Sequence, residues 1–222
     1  MIAEELINQT IPPLKKTDKV ETAIHWMEEL RVNQLPVVDK GVYEGLVSEE
    51  AIFHHNQLNA LVADLAITDK DAFVYANQHF YDVLRVANNH KIQVVPVLDN
   101  NNNRFLGVVT VNDTISAISK STSMQEQGGI LVLAIHQRDY SLSEISRLVE
   151  ENDAKILSTF IAVDEQNPQI LRVTVKINKT DLTRIIATLE RFGYNIVAKF
   201  QPTETQSIDK ERLDLLFRYL NI

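Results

Sequence analysis

The chain contains no cysteine and no long apolar run. The lack of cysteine excludes disulfides, thiolate chemistry and cysteine-ligated zinc. A membrane-spanning helix needs about 18 or more consecutive apolar residues, and no stretch of the sequence approaches that length. The chain starts Met-Ile-Ala-Glu-Glu, which is acidic where a secretory signal peptide is basic. These features predict a cytoplasmic protein that does not contact a membrane.

Clusters of basic residues and glycine-rich loops are also scarce. The formal net charge is -8, and no stretch concentrates lysine and arginine, so a phosphate backbone would be repelled. There is no Gly-x-x-x-x-Gly-Lys loop, Gly-x-Ser-x-Gly elbow or His-Glu-x-x-His motif. The adjacent His54 and His55 cannot readily share one metal, because helical neighbours point about 100° apart. We expect no nucleic-acid partner, no catalytic residues, no metal and no required cofactor.

What the sequence does contain is an internal repeat. Residues 35–39, Leu-Pro-Val-Val-Asp, recur at 95–99 as Val-Pro-Val-Leu-Asp, and 45–48, Gly-Leu-Val-Ser, recur at 107–110 as Gly-Val-Val-Thr. An open array needs about three or more units to bury its faces. Two copies therefore predict a pseudo-symmetric pair, with functional clefts where the halves meet.

Each repeat has the pattern of a β-α-β-β-α unit. In the first, 11–14 is an extended segment, 17–21 offers caps for an amphipathic helix, and the turn at Lys40 and Gly41 separates two apolar strands. In the second, 72–75 takes the place of the first strand and Asn77 stands where Thr17 would cap the helix. The polar run 99–104 predicts a longer solvated turn.

The sequence changes character after the second repeat. Residues 121–129 are polar and end in two glycines, which is typical of a linker. Beyond them the pattern predicts strand 130–136, a helix from Ser141, strands 154–163 and 170–177, helix 180–192 and strand 194–200. This β-α-β-β-α-β order predicts a ferredoxin-like plait. Residues 202–222 predict a polar connector and a C-terminal amphipathic helix, or alternatively a frayed tail.

The repeated motifs resemble those of the CBS-domain family, whose units form pairs called Bateman modules. The resemblance covers roughly residues 1–120 and implies CBS repeats at 1–58 and 59–120. The sequence pattern beyond them predicts a linker at 121–129, a further, ACT-like domain at 130–201 and a C-terminal helix at 202–222. The expected fold class is α+β. The resemblance further implies a regulatory module that binds AMP, ADP, ATP or an adenosyl compound in one or both clefts.

The family's ligand motif matches the second repeat. The resemblance implies that the hydroxyl of Thr110 meets a phosphate and that the carboxylate of Asp113 accepts from the ribose hydroxyls. A carboxylate can accept from two vicinal hydroxyls, and a helix N-terminus favours a nearby anion. Alternatively, the two residues only cap the helix that follows. The expected walls for an adenine ring are Ala72, Val74 and Tyr75 together with Val95 and Pro96.

The first repeat departs from this motif. It keeps a hydroxyl at Ser48 and the proline at Pro36, but it has Ala51 where the carboxylate belongs, so we expect a degenerate cleft. The positions before both Pro-Val strands lack the basic residue that many relatives carry, and Arg31 lies further away along the chain. Ligands with few phosphates, or none, are therefore favoured.

The second half is similar to an ACT domain in its order of elements, and the whole arrangement is similar to acetoin-utilisation proteins of the AcuB type. Many ACT domains bind an amino acid at a glycine-containing turn after the first strand. Here the turn, 136–141, has no glycine, which favours a plait that dimerises. We expect a homodimeric, non-enzymatic sensor that passes a nucleotide signal to the ACT-like domain or to a regulated protein partner. The alternative is a structural scaffold without a ligand.

Overall fold

The structure is a computed structural model that describes residues 1–55 and 57–201. The chain divides into two compact units, Met1–Lys120 and Ser121–Ile222. The predicted C-terminal helix within 202–222 lies outside the described residues. Among the described residues, none of the helices combines the length and apolarity needed to cross a bilayer.

The first unit consists of two copies of one arrangement. Its elements are α1 (Val20–Leu30), β1 (Gln34–Asp39), β2 (Val42–Ser48), α2 (Glu49–His55), β3 (Val74–Tyr75), α3 (Phe80–His90), β4 (Val94–Leu98), β5 (Phe105–Thr110) and α4 (Val111–Ser119), with short 3₁₀ turns at Ala3–Leu6 and Val62–Asp64. In each copy an antiparallel hairpin with one bulge, β1–β2 or β4–β5, receives a parallel partner. That partner is β3 beside β4, and a single bridge from Leu14 to Val37 beside β1. The predicted repeat is confirmed.

The two hairpin turns follow the chemistry of their sequences. Lys40 and Gly41 both have positive φ, 49° and 85°, as a two-residue type I′ turn requires. In the second hairpin, Asp99 Oδ1 accepts hydrogen bonds from the backbone N–H groups of Asn101 and Asn102 at 2.8 and 3.2 Å. The asparagine-rich turn is therefore held by its own side chains and stays polar, as predicted.

The repeats share their hydrophobic cores. Val94 and Val108 of the second repeat pack in one cluster with Leu35 and Val37 of the first. A second cluster joins Leu46 of the first repeat to residues of the second, including Val74, Val95 and Val97. Neither repeat encloses a complete apolar core alone, so the pair folds as one unit.

The caps predicted for α1 and α3 are wrong. Helix α1 begins after Lys19 with no side-chain cap, and Asp18 Oδ2 instead accepts from the N–H of Lys15 at 2.7 Å. The α1 amides of Val20 and Glu21 donate to carbonyls of residues 58–60 at 3.0 and 3.2 Å. Helix α3 is capped by His79, not Asn77. At α1, contacts from distant backbone replaced the local cap that the sequence offered, and at α3 a neighbouring side chain took the place of Asn77.

The second unit is the predicted plait. Its elements are α5 (Thr122–Gln125), β6 (Gly129–His136), α6 (Leu142–Glu150), β7 (Ile156–Val163), β8 (Ile170–Ile177), α7 (Thr183–Arg191) and β9 (Asn195–Phe200). The antiparallel sheet has the order β7-β8-β6-β9. Both longer helices supply apolar residues to the core, Ile145 and Leu148 from α6 and Ile185 and Leu189 from α7. The α+β class and the β-α-β-β-α-β order are confirmed.

The paired glycines before β6 belong to the plait. A Cβ on Gly128 would lie 2.0 Å from the backbone oxygen of Ile177, and one on Gly129 would lie 2.5 Å from the Leu182 side chain. The N–H of Gly129 also donates to Lys179 O at 2.7 Å. The sequence pattern predicted this pair as the end of a linker; in the structure Gly129 begins β6, and close packing explains the lack of side chains at both positions.

Candidate functional site

A cavity of about 570 Å³ lies where the two repeats meet. We call it the Asp113 cavity. Its lining comes from the N-terminal segment, the end of α1, the approach to β4 and the start of α4: Asn8, Thr10, Ile11, Leu30, Arg31, Val32, Gln93, Thr110, Val111, Asn112 and Asp113. Its volume is within the usual range of small-molecule sites, about 300–1,000 Å³.

An exchange of leading segments builds this cavity. The segment that precedes the first repeat runs beside β5 of the second repeat, where the N–H of Asn8 donates to Val108 O at 2.8 Å. The approach is so close that a Cβ on Gly107 would lie 2.5 Å from the side chain of Ile7. The first repeat receives the segment that precedes the second in the same way, since Leu46 and Thr68 exchange backbone hydrogen bonds. Each cleft therefore mixes residues from both repeats.

Thr110 and Asp113 form a complete capping box at the start of α4. Thr110 Oγ1 accepts from the N–H of Asp113 at 3.0 Å and donates to Asp113 Oδ2 at 2.7 Å, while the N–H of Thr110 donates to the same oxygen at 3.0 Å. The capping alternative is thus present in the structure. It accounts for one carboxylate oxygen and for the hydroxyl proton.

The other oxygen of Asp113 has room for a ligand. Among the described residues, Oδ1 accepts one long contact, from Asn8 Nδ2 at 3.4 Å. A carboxylate offers about four lone-pair sites, so Oδ1 can accept from a hydroxyl in the cavity while Oδ2 holds the cap. Capping and ligand binding are compatible at this residue.

Comparison with known proteins gives the family of this unit. The family model for the CBS domain matches residues 3–57 and 62–120, about half of the chain. The chain belongs to the CBS-domain family. The resemblance predicted from the repeated Pro-Val motifs is confirmed.

Solved structures with the same fold are distant in sequence. A CBS domain pair/ACT domain protein from Thermotoga maritima has 23% identity and a TM-score of 0.50, covering 55% of this chain and 99% of its own. The acetoin utilization protein AcuB from Vibrio cholerae has 18% identity and a TM-score of 0.45, covering 53% and 90%. CBSX2, solved in complex with AMP, has 19% identity and a TM-score of 0.45, covering 53% and 95%. The likeness to the Thermotoga maritima protein concerns the fold alone.

The predicted adenine walls lie elsewhere in the CBS pair. Ala72 and Val74 are buried at 0% and 1% exposure in the core that also contains Val95. Tyr75 is half-buried and Pro96 is buried within β4, and none of these five residues lines the Asp113 cavity. The exchange of leading segments brings Asn8, Thr10 and Ile11 to this cavity, and the expected adenine wall stays a prediction.

Of the predicted degenerate positions, Ser48 lines the second cleft of the CBS pair. A cavity of about 490 Å³, which we call the Ser48 cavity, is lined by Asn33, Gln34, Ser48, Glu49, Glu50, Phe53 and Lys91. Ser48 Oγ accepts from the N–H of Ala51 at 3.1 Å, so the hydroxyl caps α2 without a carboxylate partner. Ala51 is half-buried, and Pro36 is buried in β1. Ala51 therefore offers no carboxylate equivalent to that of Asp113.

Sequence reasoning missed Asn8 and Arg31 as residues of the Asp113 cavity. The residue that follows each long helix of the CBS pair is basic and left-handed: Arg31 after α1 has φ 54° and ψ 45°, and Lys91 after α3 has φ 57° and ψ 37°. Arg31 lines the Asp113 cavity and Lys91 the Ser48 cavity. The matching positions sixty residues apart were a usable signal. The assignment of each to a cleft needed the tertiary structure.

Tyr43 ties the first repeat to the segment that leads into the second. Its hydroxyl donates to Asp69 O at 2.8 Å. Burial, and then the charges of Asp69 and Asp71, raise the pKa of Tyr43 far above its usual range. Asp69 Oδ1 also lies 3.1 Å from His90 Nδ1. These contacts hold the turn at residues 69–72 in place.

The turn after the first strand of the plait, whose lack of glycine argued against an amino-acid site, borders a small acidic cavity. The cavity measures about 210 Å³ and its lining includes Asp139, Glu144 and Tyr194. Tyr194 Oη donates to Glu144 Oε2 at 2.8 Å. Burial first, and then this hydrogen bond, raise the pKa of Tyr194 to about 12. The carboxylates of Asp139 and Glu144 would repel the carboxylate of a bound amino acid.

Proposed function

We propose that this protein is a regulatory sensor that binds an adenosine-containing ligand in the Asp113 cavity. The observation that carries the proposal is Asp113 Oδ1, which faces a cavity between the repeats and accepts only one long contact among the described residues. The CBS-domain family provides the ligand class, since its motif pairs this hydroxyl and carboxylate with a nucleotide. AMP, ADP, ATP and adenosyl compounds are the candidates.

The exchanged segment supplies a mechanism for signalling. A ligand in the Asp113 cavity would touch residues 8–11, which lead into the first repeat, and the start of α4 in the second repeat. A ligand that binds one arrangement of these elements better than another shifts the equilibrium between them. We propose that this shift is read by the ACT-like unit or by a protein partner in the cytoplasm, and that the protein itself is not an enzyme.

The test is calorimetric titration of the full chain with AMP, ADP, ATP, adenosine and S-adenosylmethionine. We expect saturable binding of at least one of them at one site per chain. A thermal shift should accompany binding, because a ligand at 100 times its dissociation constant adds about 2.7 kcal/mol of stability. Absence of binding by all five compounds would refute the sensor proposal.

A scaffold without a ligand is the second candidate. The observation that favours it is the complete capping box, which gives Thr110 and Asp113 a structural role in the absence of any ligand. A scaffold would show no thermal shift with any adenosine compound, and its Asp113 variants would change stability alone.

Either candidate is proposed to act as a homodimer joined through the plait. Within residues 1–55 and 57–201, strand β7 is a sheet edge, and its sequence, Ile-Leu-Ser-Thr-Phe-Ile-Ala-Val, contains no charge and no proline. Phe160 on it is 68% exposed. The other edge, β9, carries the exposed Lys199, and lysine is a common protection against edge pairing. Antiparallel pairing of β7 with its copy would satisfy the unpaired backbone groups.

A further inference from the structure

The residue that follows α1 and the residue that follows α3 have a backbone conformation that favours glycine, yet both are basic. Arg31 and Lys91 occupy the left-handed region, and their N–H groups donate to Met27 O and Ala87 O. An L-residue in this conformation costs free energy that glycine does not. Glycine would be less strained at this position, yet both repeats have a long basic side chain there. This indicates that the positive charge has a function.

Arg31 is the cation of the Asp113 cavity. Among the eleven residues that line the cavity, Arg31 and Asp113 are the two that carry a formal charge. Arg31 is exposed, and it makes no ion pair or side-chain hydrogen bond with the residues that the structure describes. Its five N–H donors are therefore available to an anion in the cavity.

We propose that Arg31 binds the phosphate of the ligand and that the Asp113 cavity takes a nucleoside monophosphate in preference to the free nucleoside. The inference rests on the proposed function, and it narrows the ligand class within that function. A guanidinium can hold a phosphate through two parallel hydrogen bonds. One guanidinium can hold one phosphate group, whereas a triphosphate would bring further negative charge to a chain of net charge -8. The expected order of affinity is AMP above both adenosine and ATP.

The Ser48 cavity provides the internal comparison. Lys91 stands at the equivalent position, but Glu49 and Glu50 share its cavity, so the local balance is negative. Lys91 Nζ also donates to Asn88 Oδ1 at 3.2 Å. An anionic ligand is not expected there. Lys91→Gly removes the same kind of residue from the same backbone conformation, and it is the matched control for Arg31→Gly.

The experiment titrates four proteins, wild type, Arg31→Gly, Arg31→Lys and Lys91→Gly, with AMP and with adenosine. We expect Arg31→Gly to weaken AMP by about tenfold or more, equal to about 1.4 kcal/mol, and to leave adenosine affinity unchanged. Arg31→Lys should recover part of the loss, and Lys91→Gly should bind AMP as wild type does. Without ligand, both glycine variants should melt no lower than wild type, because glycine relieves the left-handed strain.

The outcomes separate this inference from the proposed function. If wild type binds adenosine and AMP but Arg31→Gly binds AMP equally well, the phosphate role is refuted and the sensor stands. Equal losses of AMP and adenosine would also refute it, because the contact would then not be to phosphate. If wild type binds neither AMP nor adenosine, the monophosphate preference is refuted, and the sensor proposal then stands or falls with ADP, ATP and S-adenosylmethionine. In that case titration with inorganic pyrophosphate decides the role of Arg31: binding that is lost in Arg31→Gly supports it, and no binding overturns it.

Discussion

Replacing Asp113 separates its two roles. Asp113→Ala removes the acceptor for the Thr110 N–H and hydroxyl, at 3.0 and 2.7 Å, and the carboxylate at the N-terminus of α4. A carboxylate at a helix N-terminus contributes about 0.3–1 kcal/mol, so loss of the reciprocal cap should lower stability by about 1 kcal/mol. If Oδ1 also accepts from a ligand, about 1.5–3 kcal/mol of binding is lost as well, which weakens affinity by about tenfold or more.

Two further variants assign these losses. Asp113→Gln keeps a capping box, since glutamine serves at the third helical position, but removes the charge, so its melting temperature should stay near wild type while ligand affinity falls. Ser48→Ala removes the equivalent cap of α2, where Ser48 Oγ accepts at 3.1 Å, and should lower stability by about 1 kcal/mol without changing affinity. Calorimetry with AMP and thermal melting measure both quantities. An Asp113→Ala protein that is less stable but binds with wild-type affinity would refute the ligand role.

Three other predictions concern the segment exchange, the alkaline limit and the dimer. Gly45→Ala would place a Cβ 2.4 Å from the backbone oxygen of Thr68, so denaturant unfolding should show a loss of more than about 1 kcal/mol; wild-type stability would disprove this close approach. The raised pKa of Tyr43 means that the unfolded state loses this proton first above about pH 10, so stability falls as pH rises. Tyr43→Phe should be less stable at pH 7 but decline less above pH 10, and parallel pH curves would contradict the assignment. Light scattering should give the wild type a molar mass of twice the 25.3 kDa chain and the Phe160→Lys variant the mass of one chain. A monomeric wild type would rule out pairing through β7.

The dual use of Asp113 has a consequence for reading ligand motifs. A hydroxyl and a carboxylate three residues apart at a helix start form a capping box whether or not a ligand is present. Whether the motif can also bind a ligand depends on what the second carboxylate oxygen contacts. At Asp113 it meets a cavity and one weak contact from Asn8, and at the first repeat the carboxylate is absent because Ala51 replaces it.

The sequence by itself determined the elements and their order. The Pro-Val motifs around Pro36 and Pro96 predicted the repeat, and the succession of strand and helix patterns after residue 129 predicted the β-α-β-β-α-β plait. The turn at Lys40 and Gly41 was also predicted from two residues. These features depend on local backbone preferences and on the spacing of apolar side chains, and both can be determined directly from the sequence.

Only the tertiary structure decided which residues share a cleft. Asn8 and Asp113 meet although they are 105 positions apart, and Arg31 of the first repeat lines the cavity that carries the motif of the second. The same exchange of leading segments buries Ala72 and Val74 in the core and satisfies the first amides of α1 with distant carbonyls. Pairing between segments so far apart depends on how the apolar surfaces of the two repeats pack into shared cores. The periodicity of a single segment does not contain that information.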